Sequence, residues 1–303
     1  MNDAKTAFVF PGQGGQFVGQ GKAWAESYPA VREIFRAADE VTGRPISKLC
    51  FEGPLEDLTL TLNLQPAILA VSLAAARLHL AAGRRPDYTL GHSLGEFAAL
   101  CLAGVFDEAA AFDLVNQRAA LMQKAAMDFP GSMAAVLNLD VPTLESLCEL
   151  ARAEGTVVVA NYNTPEQTVI SGTSRAVAAA SRFVLAKGGK TVPLPVSGAF
   201  HSPLMADSAS RFADILRELD FKTPKIPVAP NTLAVPTTDT DDLKNALIRQ
   251  MTSPVRWVES VEALKNLDVK FFYECWPKPY ANSLVKKCLG KEPGFTLEAA
   301  SPA

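Results

Sequence analysis

The pentapeptide Gly91-His92-Ser93-Leu94-Gly95 concentrates more potential chemistry than any other stretch of this sequence. A G-x-S-x-G turn puts its serine on a strained elbow between a strand and a helix. The hydroxyl is exposed there, and the helix N-terminus behind it stabilises negative charge. Ser93 is the candidate nucleophile, with an ordinary glycine-flanked turn as the competing reading. A serine hydroxyl attacks only when a base takes its proton, most often a histidine, and the chain has 3 histidines. His92 adjoins Ser93 and is turned away from it. His79 falls on a long helix, where it reads as a half-buried packing residue. Elimination leaves His201, in Gly198-Ala199-Phe200-His201-Ser202-Pro203, as the base.

The other nitrogen of a catalytic imidazole needs an acceptor that fixes its tautomer. The order Ser, Asp/Glu, His admits a carboxylate such as Asp140. A Ser–Asp pair would use an Asp-Gly turn, and the sequence has none. The glycine run Gly12-Gln13-Gly14-Gly15-Gln16 is a second place where something approaches the backbone. It lacks G-x-x-x-x-G-K-[ST], and Phe17 breaks G-x-G-x-x-G spacing, so a phosphate cradle is disfavoured. Beside Ser93 its N–H groups could face the oxyanion of a tetrahedral intermediate. Arg118 falls on the apolar face that Phe112, Val115, Ala119 and Met122 share at helical spacing. A buried guanidinium there requires an anion, either an internal Asp or Glu or a carboxylate of the substrate.

These residues need elements to hold them. Residues 6–10 read as a buried strand stopped by Pro11-Gly12, and residues 87–90 as a short strand feeding the elbow. An almost wholly apolar helix follows over residues 96–102. Gln65-Pro66 opens a long helix that ends at Gly83, proline being suited to a first turn. Arg118 lies on a helix over residues 108–126. Between residues 131 and 196 the order strand, helix, strand, strand, helix, strand is that of a ferredoxin-like split module. The turn at Asp128-Phe129-Pro130-Gly131 marks where the chain leaves the larger domain, and Ser197-Gly198 where it returns. The predicted organisation is thus a large α/β domain over residues 1–128 and 198–303 and an inserted module over residues 129–197. Helices over 203–219 and 241–251 enclose a proline-rich strand region at 224–231. A helix, a strand and a helix then end near Cys288, and the last ten or so residues read as unstructured.

Composition narrows the function further. The chain has 303 residues, 48% of them hydrophobic, enough to bury a large core without disulfides or metals. Its 5 cysteines form no C-x-x-C pair, so neither a zinc site nor a disulfide framework is expected, and a reducing cytoplasm fits. The N-terminus lacks the regions of a signal peptide. No uncharged apolar run reaches bilayer length, residues 94–104 coming nearest, so no membrane span is expected. A net charge of −3 without a dense basic block argues against nucleic acid.

Taken together, Phe10-Pro11-Gly12-Gln13-Gly14, Gln65-Pro66-Ala67, Gly91-His92-Ser93-Leu94-Gly95-Glu96, Gln117-Arg118 and Gly198-Ala199-Phe200-His201-Ser202 resemble the malonyl-CoA:acyl carrier protein transacylase family. That family includes free-standing polyketide synthase acyltransferases, and the match in order and spacing covers nearly the whole chain. The resemblance implies an α/β-hydrolase-like core with an inserted ferredoxin-like subdomain. It implies Ser93 as the acylated nucleophile and His201 as base and then acid, with the main-chain carbonyl of Gln250 as the acceptor for His201. It implies the N–H groups of Gln13 and Leu94 as the oxyanion hole, Gln65 in the pocket, Arg118 on the malonyl carboxylate, and Asn161 and Asn163 near the thioester. Phe200 matches malonyl-selective rather than methylmalonyl-selective members. The implied substrate is malonyl-CoA, the implied partner an acyl carrier protein bearing phosphopantetheine, and no cofactor is bound permanently. Two rival functions share these residues: a hydrolase that clears acylated carrier proteins, and a carrier-binding subunit without turnover. One stretch departs from the family pattern. Where Gly-Pro-Gly and a basic residue usually follow the last core strand, the chain reads Cys275-Trp276-Pro277-Lys278-Pro279-Tyr280. Either a dedicated partner or drift in a tolerant surface loop would account for it.

Overall fold

The run Ala7-Phe8-Val9-Phe10 has no polar residue in it, which suits a strand covered on both faces, and all four residues are fully buried. In the computed structural model, which describes residues 4–196 and 198–300, this run is the middle strand of a five-stranded parallel sheet. The strands in chain order are β1 (Lys5–Phe10), β2 (Tyr88–Gly91), β3 (Gly131–Leu137), β4 (Val157–Thr164), β5 (Gln167–Thr173), β6 (Lys190–Pro193), β7 (Val228–Ala229), β8 (Val269–Glu274) and β9 (Thr296–Ala299). The large sheet has the order β7-β2-β1-β8-β9, every pair parallel. Because β1 sits between β2 and β8, the loops leaving the C-terminal ends of these three strands are neighbours. In open parallel sheets that edge is where ligands bind.

The second sheet is antiparallel, in the order β4-β5-β3-β6. The helices Val141–Ala151 and Ser174–Ala186 cover it, burying their own cluster that includes Leu144, Leu147, Ile170, Val177 and Val184. This is the ferredoxin-like arrangement inside an α/β-hydrolase-like chain. Its β4 edge is tied to the larger unit by backbone hydrogen bonds from Val255 N–H to the Ala160 carbonyl (2.9 Å) and from Tyr162 N–H to the Val255 carbonyl (2.9 Å). Ser197, at the expected return point, lies outside the described residues.

The structure corrects four expectations. Pro66 does not open its helix: the helix runs Thr61–Ala81 and holds Pro66 in its second turn. Proline there leaves the Leu62 carbonyl without its intrahelical donor, and the Arg44 guanidinium supplies one at 2.8 Å. Among the described residues, that same helix, and not residues 94–104, is the one long and apolar enough to compare with a bilayer span. It reaches bilayer length with a mean hydropathy of 1.4, but 78% of that window is buried inside the fold, as in a core helix. His79 is fully buried rather than half-buried. Its Nε2 lies 3.0 Å from the Glu274 carbonyl, and its Nδ1 accepts from Arg84 at 2.7 Å. The chain end expected to be unstructured contains β9, which pairs in parallel with β8. Four residues after Gly294 carry too short a pattern to announce a strand; the open edge of β8 supplies the pairing. Residues 301–303 lie outside the described residues.

Candidate active site

The elbow is built by close backbone approach. A Cβ on Gly91 would overlap the backbone of Gly95, and one on Gly95 would sit 2.3 Å from the Phe10 carbonyl oxygen and 2.7 Å from that of Pro11. Only glycine at both ends lets strand β2 turn into the helix Gly95–Ala103 over so short a distance. The turn drives Ser93 to φ 51°, the left-handed region, at a cost of about 1–2 kcal/mol. Asn231 helps hold this conformation. Its Oδ1 accepts the Ser93 N–H at 2.6 Å, its Nδ2 donates to the Gly91 carbonyl at 2.6 Å, and its own N–H reaches Glu96 Oε2 at 3.2 Å.

His201 meets Ser93 from the other side. Its Nε2 is 2.8 Å from Ser93 Oγ, and its Nδ1 lies 2.9 Å from the Gln250 carbonyl and 3.1 Å from the Ser253 carbonyl. Carbonyls only accept, so Nδ1 carries the proton and Nε2 is left as the base facing the serine hydroxyl. Among the described residues no carboxylate enters this arrangement. Asp140, the carboxylate the sequence offered, accepts the Thr143 N–H at 2.9 Å and caps the helix Val141–Ala151 of the small sheet. His201 also has a positive φ, 56°. Burial first, and then the Arg118 charge, push its pKa down to about 3.

Behind Ser93 lies a fully buried polar layer. Arg118 Nη1 donates to Gln65 Oε1 at 2.7 Å, and Nη2 donates to Gln250 Oε1 at 3.0 Å and to Ser93 Oγ at 3.2 Å. Its Nε has no hydrogen-bond partner among the described residues, and the guanidinium sits 5.5 Å from the Phe97 ring centroid. Among the described residues no carboxylate forms an ion pair with it. Burial lowers its pKa to about 10, still well above neutrality. The nearest acid in effect is Glu96, itself pushed up to about 7 by burial. The Gln250 amide ties the two together by donating to Glu96 Oε2 at 2.8 Å and to the Ser93 carbonyl at 2.9 Å.

In front of Ser93 opens a cavity of about 670 Å³, lined among others by Gln13, Ser93, Asn161, Asn163, Phe200 and His201. Arg118, Gln65, Gln250 and Leu94 are not on its wall; they form the layer beneath. Asn163 is tethered, its Oδ1 2.9 Å from His92 Nε2 and its Nδ2 donating to Gln167 at 3.3 Å. Asn161, within β4, itself forms the parallel bridge with Val255. The N–H groups of Gln13 and Leu94 donate to no acceptor among the described residues.

A model of the acyl transferase domain matches residues 7–296. The malonyl CoA-acyl carrier protein transacylase of Bacillus subtilis strain 168 is 42% identical over 286 residues, 94% of this chain and 90% of that one. This chain belongs to the malonyl-CoA:acyl carrier protein transacylase family. The crystal structure of an acyl carrier protein S-malonyltransferase from Vibrio cholerae superposes on it with a TM-score of 0.93 at 39% identity, covering 99% of this chain and 98% of the other. A malonyl-transacylase in complex with its type II PKS acyl-carrier protein does so with a TM-score of 0.92 at 35% identity, covering 98% and 95%. Against this transacylase family pattern, two parts of the site had no signal in the sequence. Asn231 lies 138 residues from the serine it holds, in a proline-rich segment. The Gln250 side chain bridges Arg118, Glu96 and Ser93, a role distinct from that of its main-chain carbonyl. Glu96 was visible in the motif, but nothing in the sequence showed that its carboxylate turns inward.

Proposed function

We propose that this chain transfers a malonyl group from malonyl-CoA to the phosphopantetheine thiol of an acyl carrier protein through an ester on Ser93. The observation that carries the reading is Ser93 Oγ lying between the unprotonated nitrogen of His201 and Nη2 of an Arg118 that has no ion-pair partner among the described residues, at 2.8 and 3.2 Å. His201 takes the serine proton as Oγ attacks the thioester carbonyl, and the N–H groups of Gln13 and Leu94 receive the oxyanion. The imidazolium, stabilised by the Gln250 and Ser253 carbonyls, then protonates the departing coenzyme A thiolate. In the second half the carrier thiol gives its proton to His201 and attacks the ester, and Ser93 regains the proton as it leaves. Arg118 binds the malonyl carboxylate, exchanging its contacts to Gln65 and Gln250 for the charged partner. Phe200 beside His201 limits the space at the α-carbon and favours malonyl over methylmalonyl. Asn161 and Asn163 hold the thioester arm along the cavity. Nothing in this scheme needs a permanently bound cofactor, and the reading places the enzyme in the cytoplasm.

The test is transfer itself. With malonyl-CoA and a phosphopantetheinylated carrier protein, the expected product is malonyl-carrier in stoichiometric yield. Free malonate with unloaded carrier would favour the hydrolase, and neither product would favour the subunit without turnover.

The depressed pKa of His201 sets the pH dependence. The base works only when unprotonated, so a lowered pKa moves the acid limb downward. The profile of kcat/KM, which reports free-enzyme groups, is expected to stay flat through the ordinary histidine range and fall only in the region of pH 3 to 4. Bound malonyl neutralises the Arg118 charge that helps depress His201, so the limb in kcat should lie at higher pH than that in kcat/KM. Coincident limbs near the unperturbed value of 6.5 would contradict this.

A further inference from the structure

The loop that departs from the family pattern does not drift on the surface. Cys275 is fully buried and Trp276 is 1% exposed. Leaving β8 beside β1, the loop lays two aromatic rings on the glycine loop. The Tyr280 hydroxyl donates to the Gln13 carbonyl at 3.0 Å, and Trp276 Nε1 donates to the Gly15 carbonyl at 3.2 Å. The N–H of Gly14, on the same peptide group as the Gln13 carbonyl, donates to Gln16 Oε1 at 2.8 Å. That peptide is therefore held at both ends. Gly14, at φ 120°, makes room for the ring: a Cβ there would overlap the Tyr280 hydroxyl. On the other side of Gln13, a Cβ on Gly12 would come within 2.8 Å of the His92 carbonyl, so the chain is also pressed against the elbow. The loop is in turn fixed by the Glu274 carboxylate, which accepts the N–H groups of Tyr280, Ala281 and Asn282 at 2.6–3.0 Å.

We propose that Tyr280 and Trp276 are positioning residues that lock the glycine loop, Tyr280 at the Gln13–Gly14 peptide and Trp276 at the Gly15 carbonyl, and thereby fix the adjoining Gly12–Gln13 peptide so that the Gln13 N–H faces the oxyanion formed on attack by Ser93. This rests on the acyl-transfer reading above. Only proline deletes a main-chain N–H, and it would also refix the backbone, so in this chain the tyrosine hydroxyl is the handle through which that donor can be disturbed. A donor aimed at the oxyanion acts in the transition state and not on bound substrate. Its loosening therefore lowers the rate of acylation without changing substrate affinity.

Tyr280→Phe keeps the ring and removes only the hydroxyl; Trp276→Phe removes the second hydrogen bond. Both are to be followed by rapid quench and intact-protein mass at varied malonyl-CoA, with thermal unfolding alongside. Complete loss of an oxyanion donor costs about 10²- to 10³-fold, so misalignment in Tyr280→Phe should lower the maximum acylation rate by roughly 5- to 30-fold. The half-saturating malonyl-CoA concentration should stay unchanged, and unfolding should shift little. Trp276→Phe should give a smaller loss of the same kind. An acylation rate in Tyr280→Phe equal to that of the unaltered chain would overturn the proposal. So would a loss confined to half-saturation, which would mean that Tyr280 contacts the substrate directly. No adduct on the unaltered chain would defeat the acyl-transfer reading and the proposal with it, an outcome distinct from either.

Discussion

His201→Asn is expected to lower malonyl transfer by at least about 10³-fold, near the upper part of the range for general acid–base catalysis. Asparagine is chosen because it tolerates the left-handed backbone that His201 adopts at φ 56°. The loss should then report chemistry and not refolding of the loop. The proposed mechanism uses the imidazole twice in each half-reaction, as base toward the attacking group and as acid toward the leaving one, so the defect should appear in both acylation and transfer. Residual activity should persist because Arg118 Nη2 still contacts Ser93 Oγ and the N–H groups of Gln13 and Leu94 remain. A variant with more than a tenth of the original rate would show that another group takes the proton.

Arg118→Ala is expected to reverse the choice of acyl group. The guanidinium is fully buried, has no ion-pair partner among the described residues, and stays protonated at neutral pH. In the proposed role a malonyl carboxylate satisfies it, whereas an acetyl group would leave the charge unpaired, a penalty that discriminates strongly. Charge-assisted hydrogen bonds contribute about 1.5–3 kcal/mol each, so losing two should cut malonyl transfer by roughly 10²- to 10⁴-fold while acetyl transfer rises. The same variant orphans Gln65 Oε1 and Gln250 Oε1, and each orphaned acceptor costs about 1–3 kcal/mol of stability. Arg118→Lys separates the two effects: it keeps the charge but not the forked geometry, and should retain part of the malonyl preference. Competition between malonyl-CoA and acetyl-CoA, read as acyl-enzyme mass, checks the ratio. An unchanged ratio in Arg118→Ala would remove the carboxylate-binding role.

Ser93 and Arg118 were legible in the sequence for different reasons. The elbow is a local motif whose glycines are dictated by backbone contact, and Arg118 broke a helical apolar face that the fold then buried completely. His201 could be reached by elimination because the chain holds only 3 histidines. The order of the elements was legible from periodicity, and the strand order in the large sheet then brings the β1, β2 and β8 loops together. What stayed hidden was long-range. Asn231 and the Gln250 side chain act across 138 and 157 residues, where no local pattern records the contact. The Pro66 expectation failed because Arg44, in a separate segment, supplies the donor that makes proline tolerable inside a helix. The aromatic loop at Trp276 and Tyr280 was visible only as a departure from pattern. Its meaning came from the rings lying against Gly14 and Gly15.

The central claim is a malonyl ester on Ser93 that passes to a carrier thiol, and intact-protein mass after brief exposure to malonyl-CoA tests it most directly. The expected result is one malonyl adduct on the unaltered chain, none on Ser93→Ala, and loss of the adduct with matching gain on phosphopantetheinylated carrier protein when the carrier is added. An adduct that persists in Ser93→Ala, or no adduct on the unaltered chain, would contradict the account.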